Sequence, residues 1–241
     1  NKIYGSVISL KELISLEIQD AKFSNCKSLY GVLHVFLNDI QQSFNLLVYN
    51  STFIACSTVH SGGAINILVN NNKVLMNTKS DSEPNSVILK EVKNERINHK
   101  TVGDLVEVHV IRCNFQRCLS NINGGAINLE LNRNSKIFHN DNSKFIVINS
   151  SFKENRATKN GGCLSLLGYH HINISGSTFV QSSAEFGGAI HINNSQKKLL
   201  SNHTKNNKIF KIRLLECQFL SNLALVAGGG VYAANIDMMM N

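Results

Sequence analysis

Six cysteines, nine histidines and sixteen carboxylates are the groups through which this chain of 241 residues could do chemistry. Thiolates and imidazoles hold a metal when several converge at tight spacing. No Cys-x-x-Cys occurs, and Cys113 and Cys118 lie five apart with no histidine pair beside them, so no metal site is expected. His170 and His171 are neighbours that an extended chain sends to opposite faces, with His191 and His203 further on; all read as outward polar residues. Glycoside cleavage needs paired carboxylates beside an acid or base partner. The aspartates stand at 20, 39, 81, 104, 141 and 237, and Ser-His-Asp and phosphate-loop patterns are missing, so no catalytic set and no cofactor site is read. Five Asn-x-Ser/Thr acceptors occur, at Asn50, Asn149, Asn173, Asn193 and Asn202, which is near the chance level for a chain with 33 asparagines. Asn193 and Asn202 are the two expected to be accessible to glycosylation.

Any such group needs a scaffold, and the composition supplies one. Hydrophobic residues make up 43% and charged residues 17%, enough to bury a sizeable core, which excludes disorder. No apolar run approaches the ~18 residues of a membrane-spanning helix. The net charge is +8, with the densest basic run at Lys90 to Lys100. Glu91 and Glu95 dilute that run and no aromatic stacking set accompanies it, so it reads as a solvated loop and no nucleic-acid partner is expected.

The scaffold is repetitive. Six segments align on Phe23, Phe53, Phe115, Phe152, Phe179 and Phe219, and in five of them a glycine pair follows eight or nine residues later. Those pairs are Gly62-Gly63, Gly124-Gly125, Gly161-Gly162, Gly187-Gly188 and Gly228-Gly229; the first copy degenerates to Tyr30-Gly31. Seven and five residues before each Phe the columns are wholly apolar, from Leu16 and Ile18 to Ile212 and Leu214, which puts them on one face of a strand. Three before, the column is polar or Gly (Asp20, Asn50, Arg112, Asn149, Gly176, Glu216) and reads as a bend. After the glycines alternation resumes, with His34, Asn66, Asn128, Ser165, His191 and Tyr232 pointing outward between apolar neighbours.

Each copy suits two or three short strands joined by bends and is too short for a strand plus crossover helix. The pattern predicts an all-β parallel β-helix of about six coils, stacked at ~4.8 Å, with the apolar columns fused into one core. An antiparallel sandwich is the competing architecture. Length varies at one junction only, so residues 68–106 and 193–211 are expected as loops along one edge of a single segment spanning 1–241, either as length drift or as a recognition surface. Gly5 to Leu10 follow the post-glycine pattern, so the chain reads as a piece of a longer repeat array. Cys26, Cys56 and Cys118 share one column in consecutive coils; one rung lies within disulfide range, and a ladder of buried free thiols is the alternative.

Gly-Gly-Ala-Ile is literal at Gly62 to Ile65, Gly124 to Ile127 and Gly187 to Ile190, and Phe-x-x-Asn at Phe152 to Asn155 and Phe219 to Asn222. This pair of motifs resembles the repeat of the polymorphic outer membrane protein family. The resemblance implies a right-handed parallel β-helix and a surface-exposed, adhesive role. The expectation is a structural and interaction module at the cell surface or outside the cell, partnered by neighbouring copies, flanking repeats or surface glycans. A carbohydrate-active β-helix enzyme and a binder of anionic glycans are the alternatives.

Overall fold

The computed structural model describes residues 8–11, 15–38, 43–71, 106–133, 143–169, 171–194 and 211–235. They form four parallel sheets, and no helix occurs among them. The first sheet stacks Ser15–Gln19, Phe44–Tyr49, Val106–Ile111, Lys144–Ile148, His171–Ser175 and Lys211–Leu215. The second stacks three-residue strands centred on the six Phe of the repeat, from Lys22–Ser24 to Gln218–Leu220. The third runs from Lys27–Ser28 to Leu223–Ala227. The fourth, of seven strands, stacks Ile8–Lys11, Leu33–Asn38, Ile65–Asn71, Ile127–Arg133, Leu164–Leu167, Ile190–Asn193 and Val231–Ala234. The chain visits the sheets in this order and then returns to the first, one strand further along. This is the stacking of a β-helix or solenoid, with four strands per passage where the residue count suggested two or three.

Two single residues turn the chain in each passage. The column three before each Phe is left-handed, with φ from 47° at Asn50 to 55° at Gly176, and so is the column two after it, from Gln181 (φ 50°) to Glu154 (φ 56°). Left-handed backbone costs roughly 1–2 kcal/mol for a residue with a Cβ, so neighbouring rungs must impose it. Small polar side chains beside the bends tie those rungs together. Asn155 donates from Nδ2 to the carbonyl of Phe115 (3.0 Å) and accepts from the Cys118 amide (2.9 Å); Asn222 reaches back to Phe179 O at 2.8 Å. Cys118 and Cys56 direct their thiols at the equivalent carbonyls of Phe53 (3.6 Å) and Phe23 (3.8 Å). The Asn of Phe-x-x-Asn is thus a clamp between rungs, buried at Asn155 and half-buried at Asn222, and a thiol is its weaker substitute.

The core is one continuous column. The six Phe rings stack with centroids 4.9 to 5.0 Å apart and interplanar angles of 2° to 13°. That separation is close to the rung spacing of a hydrogen-bonded sheet, so the backbone register itself places the rings in stacking contact. Each pair adds ~0.5–1.5 kcal/mol beyond its buried area. Phe53, Phe115, Phe152 and Phe179 are fully buried; Phe23 and Phe219, in the outermost rungs, are half-buried.

At the glycine corner the two positions differ. Gly124 is left-handed (φ 59°), whereas Gly125 lies against the next rung, where a Cβ would stand 2.1 Å from Gly162 O. The corner also folds back over the outward side of the fourth sheet, since a Cβ at Gly62 would sit 2.9 Å from the Asn66 Cβ. That row lies on the outer face of the sheet, as alternation expects, yet Asn66, Asn128, Ser165 and His191 are all buried beneath the corner, at 1% to 7% exposure. The fourth-sheet strands also run further than the repeat suggested. Asn71 belongs to a strand where a loop was expected from 68, and Asn193 ends a strand where the second loop was expected to begin. The remainder of the two singled-out loops, 72–105 and 195–210, lies outside the described residues, as do His170, Asn202 and His203.

Candidate functional site

The outer face of the first sheet carries a grouping of cations brought into register by strand pairing. Side chains alternate along a strand, so the positions between the inward apolar columns form outward ladders. One ladder runs Ser15, Asn45, Glu107, Lys144, His171, Lys211 in register; the other runs Glu17, Leu47, His109, Ile146, Asn173, Arg213. Charge is therefore graded along the stack. At one end lie neutral and acidic residues, and at the other Lys144, His171, Lys211 and Arg213 occupy three successive rungs. A shallow groove of about 240 Å³ opens among them, with Ile146 and Asn173 in its lining.

Glu107 closes the cationic end. Lys144 Nζ donates to its Oε1 at 2.6 Å and His109 Nε2 lies 3.5 Å from Oε2. The Lys144 ammonium, more than the smaller opposing effect of burial, holds the Glu107 carboxyl below its ordinary range. Beyond that pair compensation ends: among the described residues neither Lys211 nor Arg213, both exposed, makes an ion pair. Burial, with the charges of Lys144 and Lys211, lowers the pKa of His171. Asn173 Oδ1 is buried in the same place with no hydrogen-bond partner. The sequence reading singled out none of these residues as a cluster. Its signal was present in the columns six and eight before each Phe, which fall between the apolar ones.

The glycine corner shelters a second polar strip. Asn128 Nδ2 donates to Asn66 Oδ1 at 3.0 Å, Asn66 Nδ2 lies 3.3 Å from His34 Nδ1, and Asn160 Nδ2 donates to Asn123 Oδ1 at 2.9 Å. Further along, His191 stacks on Tyr232 with centroids 5.5 Å apart. Its Nδ1 is buried without a partner, and burial pushes its pKa down to about 4. This strip binds rung to rung.

All six cysteines are free thiols. Cys26, Cys56 and Cys118 lie one above another on adjacent rungs, half-buried at Cys26 and fully buried at Cys56 and Cys118. Burial pushes the Cys118 thiol well above its ordinary range and Cys163 to about 12. Thiols held in that state are poor nucleophiles and poor metal ligands. No group of three or more His, Cys, Asp or Glu side chains suited to a metal exists among the described residues. Asn193 is half-buried, and its Oδ1 accepts from Asn235 Nδ2 at 2.8 Å. No helix of the described residues is long and apolar enough to cross a membrane.

Compared with protein-family models, curated proteins and solved structures, the chain matches none.

Proposed function

We propose that this chain is a right-handed parallel β-helix of about six coils acting as a structural and interaction module of a cell-surface or secreted protein. The observation that carries the proposal is the ladder architecture: each strand position meets its equivalent on the next rung, so outward side chains form lines that run along the stack. Such a surface suits attachment to a partner that is itself repetitive, whether a neighbouring copy, a flanking repeat or a glycan chain. A right hand is the usual sense of a chain that leaves a parallel sheet and returns to it, and it is the hand implied by the resemblance of the Gly-Gly-Ala-Ile and Phe-x-x-Asn motifs.

The test is location together with attachment. Antibody against the purified chain should label intact, unpermeabilised cells of its source, and beads coated with the chain should adhere to such cells. Labelling only after permeabilisation, with no bead adhesion, refutes the proposal.

A further inference from the structure

The geometry points to the groove among Lys144, His171, Lys211 and Arg213 as a binding site for a sulfated or carboxylated saccharide chain. This names the partner class of the attachment surface proposed above and rests on that reading. Three features select such a ligand. First, Lys211 and Arg213 are exposed cations without an ion partner among the described residues, while the nearest carboxylate in the same ladder, Glu107, is already taken by Lys144 at 2.6 Å. An anion placed here is attracted without displacing an existing partner, and guanidinium and ammonium both suit sulfate or carboxylate oxygens.

Second, Asn173 Oδ1 is a buried acceptor lacking a donor. Buried polar atoms are ordinarily paired, and a sugar hydroxyl entering between the Lys211 and Arg213 side chains is a donor of the right kind. A bare oxyanion, having only acceptors, cannot serve it. Third, Ile146 is half-buried in the lining and offers an apolar platform to the C–H face of a sugar ring. No Phe, Tyr or Trp lines the groove, so the stacking surface that single-stranded nucleic acid uses is reduced to the single His171 ring. The cations recur at ~4.8 Å along the stack, so a linear polymer with a charge on each sugar can meet several at once.

The experiment measures retention of the purified 241-residue chain on immobilised heparin, with neutral dextran as control. Heparin should retain the protein at low salt, with elution as screening rises, and dextran should not. Lys211→Gln/Arg213→Gln should weaken retention roughly ten-fold or more. Lys22→Gln/Lys27→Gln removes the same charge from the second and third sheets and should leave it within about two-fold. Asn173→Ala, which alters no charge, should also weaken binding, whereas a merely electrostatic attraction would be indifferent to it. Far-UV circular dichroism and melting temperature confirm that each variant is folded.

Sodium sulfate should displace heparin no better than sodium chloride of equal ionic strength. The inference is overturned if the two double variants behave alike, if Asn173→Ala binds like the parent, if sulfate competes specifically, or if duplex DNA binds as tightly as heparin. Should heparin fail while coated beads still adhere to cells, this inference falls and the surface-module reading stands. Heparin binding by a chain found only inside cells would have the opposite meaning.

Discussion

Replacing Gly125 by alanine would place a Cβ 2.1 Å from Gly162 O and 2.6 Å from the backbone N and O of Arg156. All three atoms belong to backbone, so no side-chain rotation relieves the clash, and the rungs must separate by about 0.9 Å to reach the 3.0 Å that real Cβ contacts respect. Three corner bonds span the same gap: Gly124 N to Asn160 O (2.8 Å), Gly125 N to Gly161 O (3.1 Å) and Ala126 N to Cys163 O (3.1 Å). Lengthened by that amount they pass beyond hydrogen-bonding distance. At ~0.5–1.5 kcal/mol each they account for a loss of about 2–4 kcal/mol, or a fall of roughly 5–15 °C in melting temperature for a chain of this size. Gly229 holds the equivalent place in the last described rung, where the nearest atom to an added Cβ is Asn222 O at 3.2 Å. Gly229→Ala should therefore cost less than about 1 kcal/mol, some of it offset by the lower chain entropy of the unfolded state. Urea and thermal denaturation followed by circular dichroism compare the two. Hydrogen exchange should show the Gly125→Ala loss centred on Ile127–Arg133 and Leu164–Leu167. Equal costs for the two variants, or a Gly125→Ala protein within about 0.5 kcal/mol of the parent, would show that the corner does not depend on contact between rungs.

Phe115→Ala, at the middle of the aromatic stack, should destabilise by ~3–5 kcal/mol and Phe23→Ala, half-buried at its edge, by clearly less; matched urea melts decide the order. His191 is held neutral in the folded chain, with a pKa of about 4 against an unfolded value of ~6.5. Its contribution to stability is complete above ~6.5 and declines as the pH falls toward 4, by at most roughly 3 kcal/mol. His191→Gln should flatten that part of the pH–stability curve relative to the parent, and an unchanged slope would remove the histidine from the account. In the reduced protein, alkylation mapped by mass spectrometry should reach half-buried Cys26 and Cys217 before Cys56, Cys113, Cys118 and Cys163. Early labelling of Cys118 or Cys163 would mean that the rungs open far more readily than their packing implies.

Local chemistry accounts for much of the architecture. Apolar columns seven and five before each Phe, a polar or glycine residue three before it and a glycine pair after it specify inward strands, a bend and a corner, because alternation and left-handed backbone are properties of a few neighbouring residues. The second bend was illegible for the converse reason. Asn25, Ala55, Arg117, Glu154, Gln181 and Ser221 share a left-handed φ and no chemical type; the conformation is imposed by hydrogen bonds to adjacent rungs, not chosen by the residue. Alternation assigned His191 and Asn66 to the outer face correctly but could not reveal that the glycine corner folds over that face and buries them. The cationic groove depends on tertiary structure in the fullest sense. Lys144, His171, Lys211 and Arg213 are spread over seventy residues of sequence, and only the hydrogen-bonded register of one rung on the next gathers them within reach of one another. Their types were written in the chain, whereas their proximity is a consequence of stacking, which fixes distances between residues that share no local interaction.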